Sequence, residues 1–377
     1  MPSAGIYIHI PFCKVKCNYC DFYSITEREY QREIFTKMLC REIELYIKEN
    51  QFEFIIDTIF FGGGTPSLLE NRQMDSILNC IAKYYSIKNV IEITMEANPG
   101  EASKEKLAGF KNSGINRLSM GFQSLQPDLL FFLTRIHSRE EALITFQIAR
   151  DVGFENINID LIFSIPNQTI KMLEEDLKIV TDLNPNHISA YSLTVESGTE
   201  LNRLVKKNLI TMPRDESDLE MLLFVRDFLK SKKYSAYEIS NFSKSRFECK
   251  HNLHYWTTDP YLAFGPSAHG YDIKSRWWNV RSLDEYLKRL DNFKNPINRR
   301  ENSDKISTFN EILLNGLRLS NGVQIKKLNR ENPNWKKDLK FGLKKWSEKL
   351  KINEKSLYLT DRGIPFLDSI LPDLFID

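Results

Sequence analysis

The chain has 377 residues, of which 42% are hydrophobic and 27% charged, with a formal net charge of +2. That composition belongs to a globular chain long enough for one large domain and a smaller unit, and nothing in the near-neutral balance demands nucleic acid or a strongly anionic surface. No run approaches the roughly 18 apolar residues of a membrane span, and "MPSAGIYIHI" has no basic region before its apolar stretch, so a cytoplasmic protein without signal or anchor is expected.

In chain order, apolar or β-branched runs at 6–10, 55–62, 90–98, 115–123, 156–163 and 187–195 read as strands. Helical periodicity fills the gaps, around 27–49, 70–85, 103–113, 139–152 and 169–183. Strands alternating with helices predict βαβ units and a parallel sheet. Six such units predict an α/β fold with a partial (β/α)6 TIM-like barrel; a doubly wound open sheet is the alternative. After about residue 200 the rhythm changes. A helix is predicted over 215–234, acidic early and basic late, as its dipole favours. Short aromatic-rich segments follow: "YEISNFS", "HNLHYW", "YLAFGPSAHGYD" and "RWWNV". From about 303 a compact helical tail closes the chain. The expected division is a barrel over 1–205, an extension over 206–302 and a small helical unit over 303–377.

The unusual polar residues gather at the ends of these strands. The cysteines of "PFCKVKCNYCDFYS" follow the first run and "GGGTP" (62–66) follows the second. Glu96 and Gln123 end the third and fourth, and Asp160 lies in the fifth. Parallel α/β folds build sites at the carboxyl ends of their strands, so these residues are expected around one mouth.

Cys13, Cys17 and Cys20 converge only if their loop curls around a single object. A structural zinc takes four ligands, and the fourth would have to be His9 or Asp21. A redox pair would use Cys17 and Cys20 and leave Cys13 over. A [4Fe–4S] cube takes cysteine thiolates, and three of them leave one iron open to a substrate. Cys80 sits at helical spacing with Ile77, Ile81 and Tyr84, and Cys40 with Phe35, Leu39 and Ile43; both read as core residues.

The C-x3-C-x2-C spacing, with Tyr19 just before its last cysteine and "GGGTP" on the next strand, resembles the radical S-adenosylmethionine (SAM) family. The resemblance implies a cluster whose open iron is chelated by the amino and carboxylate groups of SAM, and one-electron cleavage to a 5′-deoxyadenosyl radical. "IYIHIPFC", "MEANPG", "GFQS", "LTRIHS" and "IDLIF" resemble the branch of oxygen-independent coproporphyrinogen III oxidase and the HemW heme chaperones. By that resemblance Tyr7, Gly63 and Glu96 contact SAM at the cluster. Tyr19, Gly64, Thr65, Gln123, Arg135 and Asp160 match contacts to a second SAM in the oxidase. Glu96 or Asp160 could accept from ribose hydroxyls, and the planar fork of Arg135 could grip a carboxylate.

Two departures point away from the oxidase. Where it has a fourth cysteine two positions after the third, this chain has Phe22, and the first strand begins near residue 5, leaving no room for the oxidase's N-terminal extension. "CKHNLHYW" (249–256) resembles the chaperones' H-N-x-x-Y-W motif. His251 is therefore the candidate heme ligand, with Cys249 and His254 behind it. The alternative is a ring that bonds locally and buttresses Tyr255 and Trp256. His269, in "GPSAHG", matches a family turn less closely, His187 reads as structural, and His9 and His137 flank the mouth. The tail resembles the winged-helix-like end of this branch, with Lys344 and Lys345 on a solvated face.

The function these resemblances imply is a [4Fe–4S] and SAM protein that binds heme as cargo and delivers it to apo-hemoproteins such as respiratory cytochromes. The alternative is a radical SAM oxidoreductase acting on a porphyrinogen. An electron donor for the cluster is an expected partner and nucleic acid is not, while homodimerisation and a peripheral membrane contact stay open.

Overall fold

The computed structural model describes residues 2–50 and 54–376. The first half lays down β1 (Ser3–Ile10), α1 (Arg32–Glu49), β2 (Ile55–Gly63), α2 (Asn71–Ala82), β3 (Glu92–Ala97), α3 (Lys104–Asn112), β4 (Arg117–Gln123), α4 (Pro127–Phe132), α5 (Arg139–Asp151), β5 (Asn156–Phe163), α6 (Ile170–Asp182) and β6 (His187–Ser192). Helices begin where the sequence supplies caps: Ser103, Ser138 and Thr169 each accept an N–H from the third residue onward.

The six strands pair in parallel and in sequence order. A doubly wound sheet would reverse direction partway, so the partial barrel is the architecture found. Strand alternation explains why the barrel has a polar interior. In β4, Leu118, Met120 and Phe122 are buried in the core shared with the helices; Arg117, Ser119 and Gln123 occupy the alternate, inward positions. The same alternation puts Tyr7 and His9 inward between Ile6, Ile8 and Ile10, and Asn158 and Asp160 inward between Ile157, Ile159 and Leu161.

After α7 (Glu200–Lys206) and α8 (Asp215–Ser231), the strands of the extension join the edges of the barrel sheet. Two short strands, β7 (Ser235–Ala236) and β8 (Asn241–Ser243), join the β6 edge antiparallel. The helix α9 (Lys250–Trp256) then leads to the opposite edge. There β9 (Tyr261–Phe264) pairs parallel to β1, and β10 (His269–Tyr271), β11 (Ser275–Asn279), the helix α10 (Leu283–Asp291) and β12 (Ile297–Asn302) complete an antiparallel meander. Among the described residues the result is one open sheet of 12 strands, running from β12 through β1 to β7.

The tail has a separate apolar core, including Phe309, Leu313, Leu328, Trp335, Leu357 and Ile370. Its elements are α11 (Lys305–Gly316), β13 (Val323–Gln324), α12 (Ile325–Glu331), α13 (Trp335–Asp338), α14 (Lys340–Lys345), β14 (Leu350–Ile352) and β15 (Ser356–Leu359). Helices interleaved with a small three-stranded sheet, β13-β15-β14, with β13 between α11 and α12, make a winged-helix-like unit. It is tied to the extension by Lys327 to Asp259 at 3.0 Å and by the ion pair of Arg276 with Glu311.

Candidate functional site at the barrel mouth

The cysteine loop leaves β1 at the carboxyl end of the barrel and is pinned along its length. Cys13 N–H donates to Ile25 O at 2.9 Å, and Ile25 N–H returns to Pro11 O at 2.7 Å. Asn18 fastens the far side to the residues after α4, its N–H to Thr134 Oγ1 at 2.8 Å and its Nδ2 to Phe132 O at 2.6 Å. Cys20 N–H turns back to Cys17 O at 3.2 Å. The three thiols are free and half-buried. Burial pushes the Cys20 thiol up to about 11, against the backbone N–H of Phe22 and with Cys17 and Cys13 adding to the rise. Cys13 is raised mainly by burial as well. Thr65 Oγ1 lies 3.5 Å from the Cys13 sulfur and Arg135 Nη1 3.5 Å from that of Cys17, each placed to donate.

The glycine run at the end of β2 is explained by close approach. Gly64 N–H donates to Ile10 O and Thr65 N–H to Phe12 O, both at 2.8 Å, which stitches the two loops together. A Cβ at Gly64 would stand 2.7 Å from Phe12 O and 2.8 Å from Ile10 O, so only glycine fits. Gly63 adopts φ +106°, in the region that favours glycine. Its N–H donates to Glu96 Oε2 at 3.1 Å.

Around this seam the expected residues collect. Burial, helped by neighbouring Asp160, pushes the Glu96 carboxyl up to about 8. His9 Nε2 lies 2.8 Å from Tyr23 O and must carry the proton there, which leaves Nδ1 to accept from Tyr7 Oη at 3.1 Å. Burial holds the His9 ring neutral, down to about 4. Arg135 Nη2 donates to Asn98 Oδ1 at 2.7 Å and Gly121 O at 2.8 Å. Asn98 Nδ2 in turn donates to Thr65 Oγ1 at 2.9 Å. Gln123 ends β4 with φ +66°. Tyr19 packs on the apolar group of Leu129, Leu133 and Leu201. Asp160 lies deeper, accepting from Asn158 Nδ2 at 2.8 Å and Ser119 Oγ at 3.1 Å.

His251 lies elsewhere, at the opposite end of the lumen. Glu92, at the start of β3, receives the first turn of α9: Lys250 N–H at 2.9 Å and His251 N–H at 3.0 Å, with Cys249 Sγ at 3.4 Å. The His251 ring is 0% exposed. Its Nδ1 is 3.0 Å from Thr58 Oγ1, its Nε2 is 2.8 Å from Tyr255 Oη, and its face stacks on Phe60 at 5.2 Å. Both ring nitrogens have hydroxyl partners in this arrangement, and the ring packs edge-on against Tyr255. Cys249 is buried beside it, and His254 Nε2 is 2.8 Å from Asp57 Oδ1. His187 bridges Asn158 Oδ1 at 2.6 Å and Tyr237 Oη at 2.9 Å, the structural role expected of it.

Sequence reasoning missed Glu92, Asn98 and Arg117. Arg117 is buried in the lumen, where burial works against its charge and Cys249, Glu92, Tyr237 and Asp160 more than offset that. The available signal was a charged residue at an inward position of an otherwise apolar strand.

Residues 7–180 match the Radical SAM superfamily model. The heme chaperone HemW of Bacillus subtilis is 36% identical over 363 residues, covering 95% of this chain and 95% of that protein. That of Buchnera aphidicola subsp. Schizaphis graminum is 35% identical, covering 100% and 99%. The chain belongs to the HemW family. In fold it is similar to the Escherichia coli coproporphyrinogen III oxidase HemN, with a TM-score of 0.84 at 20% identity, covering 99% of this chain and 90% of that one.

Radical SAM membership implies a [4Fe–4S] cluster and SAM, and the residues present fit both. Among the described residues no three His, Cys, Asp or Glu side chains converge on a point that would hold one ion. A cube binds each thiolate through a different iron corner, so it asks for sulfurs around a cluster-sized gap instead. Thiols that burial holds protonated become thiolates beside such cationic iron.

Proposed function

We propose that the chain carries heme and hands it to apo-hemoproteins such as respiratory cytochromes, on a barrel that holds a [4Fe–4S] cluster and SAM. The observation that carries this reading is the match to heme chaperones along the whole length of both chains, extension and tail included. Phe22 in place of a fourth cysteine two positions after Cys20 agrees with it.

Within this reading Cys13, Cys17 and Cys20 are the cluster ligands. When bound, the cluster supplies one electron at low potential and an open iron that can chelate an amino acid. The protein's own part is positioning. Gly63 and Gly64 let backbone approach a methionine moiety closely, Tyr7 closes the wall behind it, and Glu96 faces a ligand that bears positive charge. Arg135, held by Asn98 and Gly121 O, is aimed across the mouth with Thr65, Gln123 and Tyr19 near it, while Asp160 stands deeper.

The test is anaerobic reconstitution with iron and sulfide, followed by heme titration and by transfer to an apo-cytochrome monitored at the Soret band. Stoichiometric uptake and transfer are expected. Conversion of coproporphyrinogen III to protoporphyrinogen by the reduced protein with SAM would overturn the chaperone reading in favour of the oxidase one.

A further inference from the structure

We propose that Cys40 and Cys80 form a peroxide-sensitive dithiol, a site of reversible oxidative modification in the helix layer outside the barrel. This goes beyond the heme-carrying function and does not depend on it.

The six cysteines fall into three environments. Cys13, Cys17 and Cys20 belong to the cluster loop, and Cys249 is buried beside Glu92. Cys40, in α1, and Cys80, in α2, meet across the seam between those helices. Cys80 Sγ lies 3.6 Å from Cys40 O, and Cys40 Sγ lies 3.7 Å from Ser76 O, one helical turn before Cys80. The two thiols also hydrogen-bond to each other.

The seam is held on both sides of the pair. Glu33, two turns before Cys40, pairs with Arg72 at 2.7 Å and accepts from Gln73 Nε2 at 3.2 Å. Glu42, two residues after Cys40, fastens α1 to the extension by accepting Gly265 N–H at 2.8 Å. Sulfurs within hydrogen-bond reach on helices so fixed close to bonding distance by turning about χ1.

The two sulfurs differ, and the difference assigns their roles. Cys80 is buried, whereas Cys40 is half-buried and reaches solvent, unlike the core residue its helical spacing suggests. The hydrogen bond from Cys80 lowers the Cys40 thiol, with burial and Glu44 working against it and Lys83 in favour. The same bond, followed by burial, raises Cys80. Cys40 is therefore the thiolate that meets a small oxidant, and Cys80 is the resolving thiol behind it.

In the first step the Cys40 thiolate attacks one oxygen of hydrogen peroxide. An S–O bond forms, the O–O bond breaks, and the leaving hydroxide takes a proton to become water. In the second the Cys80 sulfur attacks the sulfenic sulfur of Cys40. The S–S bond forms, the S–O bond breaks, and hydroxide leaves as water with the proton of Cys80. Two thiols and one peroxide thus give a disulfide and two waters, and an added dithiol reverses the bond by exchange. α1 follows the cysteine loop and α2 follows the glycine run, so the staple joins the two helices that issue from the cluster site.

The experiment exposes the full chain, without cluster and after reconstitution, to a molar excess of hydrogen peroxide. Free thiols are then alkylated and the peptides mapped by mass. Wild type is expected to yield a linked Cys40–Cys80 peptide, lighter by two hydrogens and lost on adding dithiothreitol. Cys80→Ser is expected to stop at a sulfenic acid on Cys40, captured by dimedone. Cys40→Ser, at the half-buried position, is expected to keep the wild-type circular dichroism and to leave Cys80 reduced. If both thiols of wild type are still alkylated after the peroxide, or if Cys80 oxidises as readily in Cys40→Ser, this inference is overturned and the chaperone reading is untouched.

Discussion

Removing the Glu92 side chain tests how the lumen is closed. The carboxylate is buried and accepts two backbone N–H groups of α9, at 2.9 and 3.0 Å, with the Cys249 thiol beside it. In Glu92→Ala both N–H groups lose their acceptor away from water, at about 1–3 kcal/mol each. Arg117 also loses one of the acids that offset its burial, and an uncompensated buried charge costs about 3–5 kcal/mol on its own. These terms overlap because the same site relaxes, and Asp160 still faces Arg117. We therefore expect a net loss of about 4 kcal/mol rather than their sum. Urea unfolding of the protein, followed by far-ultraviolet circular dichroism and Trp fluorescence, measures it. A loss below about 1 kcal/mol would refute the reasoning, because a typical surface change costs no more than that.

Three further outcomes are expected. Glu96, raised to about 8 from 4.5, keeps its proton near neutral pH in the protein alone, so the folded state binds more protons than the unfolded one between those values and stability falls as pH rises through that window. Adding SAM to the reconstituted protein near pH 7 should release a proton, seen as buffer-dependent heat in calorimetry, and Glu96→Gln should abolish that dependence. Gly64→Ala should prevent cluster assembly, because its Cβ meets two backbone oxygens that cannot move aside; iron and sulfide content after reconstitution reads this. Serine at Cys13, Cys17 or Cys20 should each lower iron content sharply, whereas serine at Cys40 or Cys80, on the α1–α2 contact, should leave it unchanged.

The sequence carried the barrel plainly because local alternation writes both faces of each strand at once: Ile6, Ile8 and Ile10 outward, Tyr7 and His9 inward. The cluster loop was legible because three cysteines within one short loop stand beside "GGGTP" on the next strand, a combination that resembles the radical SAM family. The extension was less legible. Its strands are short, and β9 finds its partner in β1, at the other end of the chain, which no local pattern encodes. The histidines show the same limit. "HNLHYW" states that an imidazole stands near aromatic rings, but whether its nitrogens face Thr58 and Tyr255 or open solvent depends on Glu92 receiving the helix.

β1 lies between β2 and β9, so its final neighbour is made only when synthesis has passed residue 264. A chain emerging from the ribosome thus presents its thiol loop on an unfinished edge for most of translation. Iron delivery is therefore expected after release, once β9 has closed the second edge of β1. A truncated nascent chain should remain colourless however much iron and sulfide surround it.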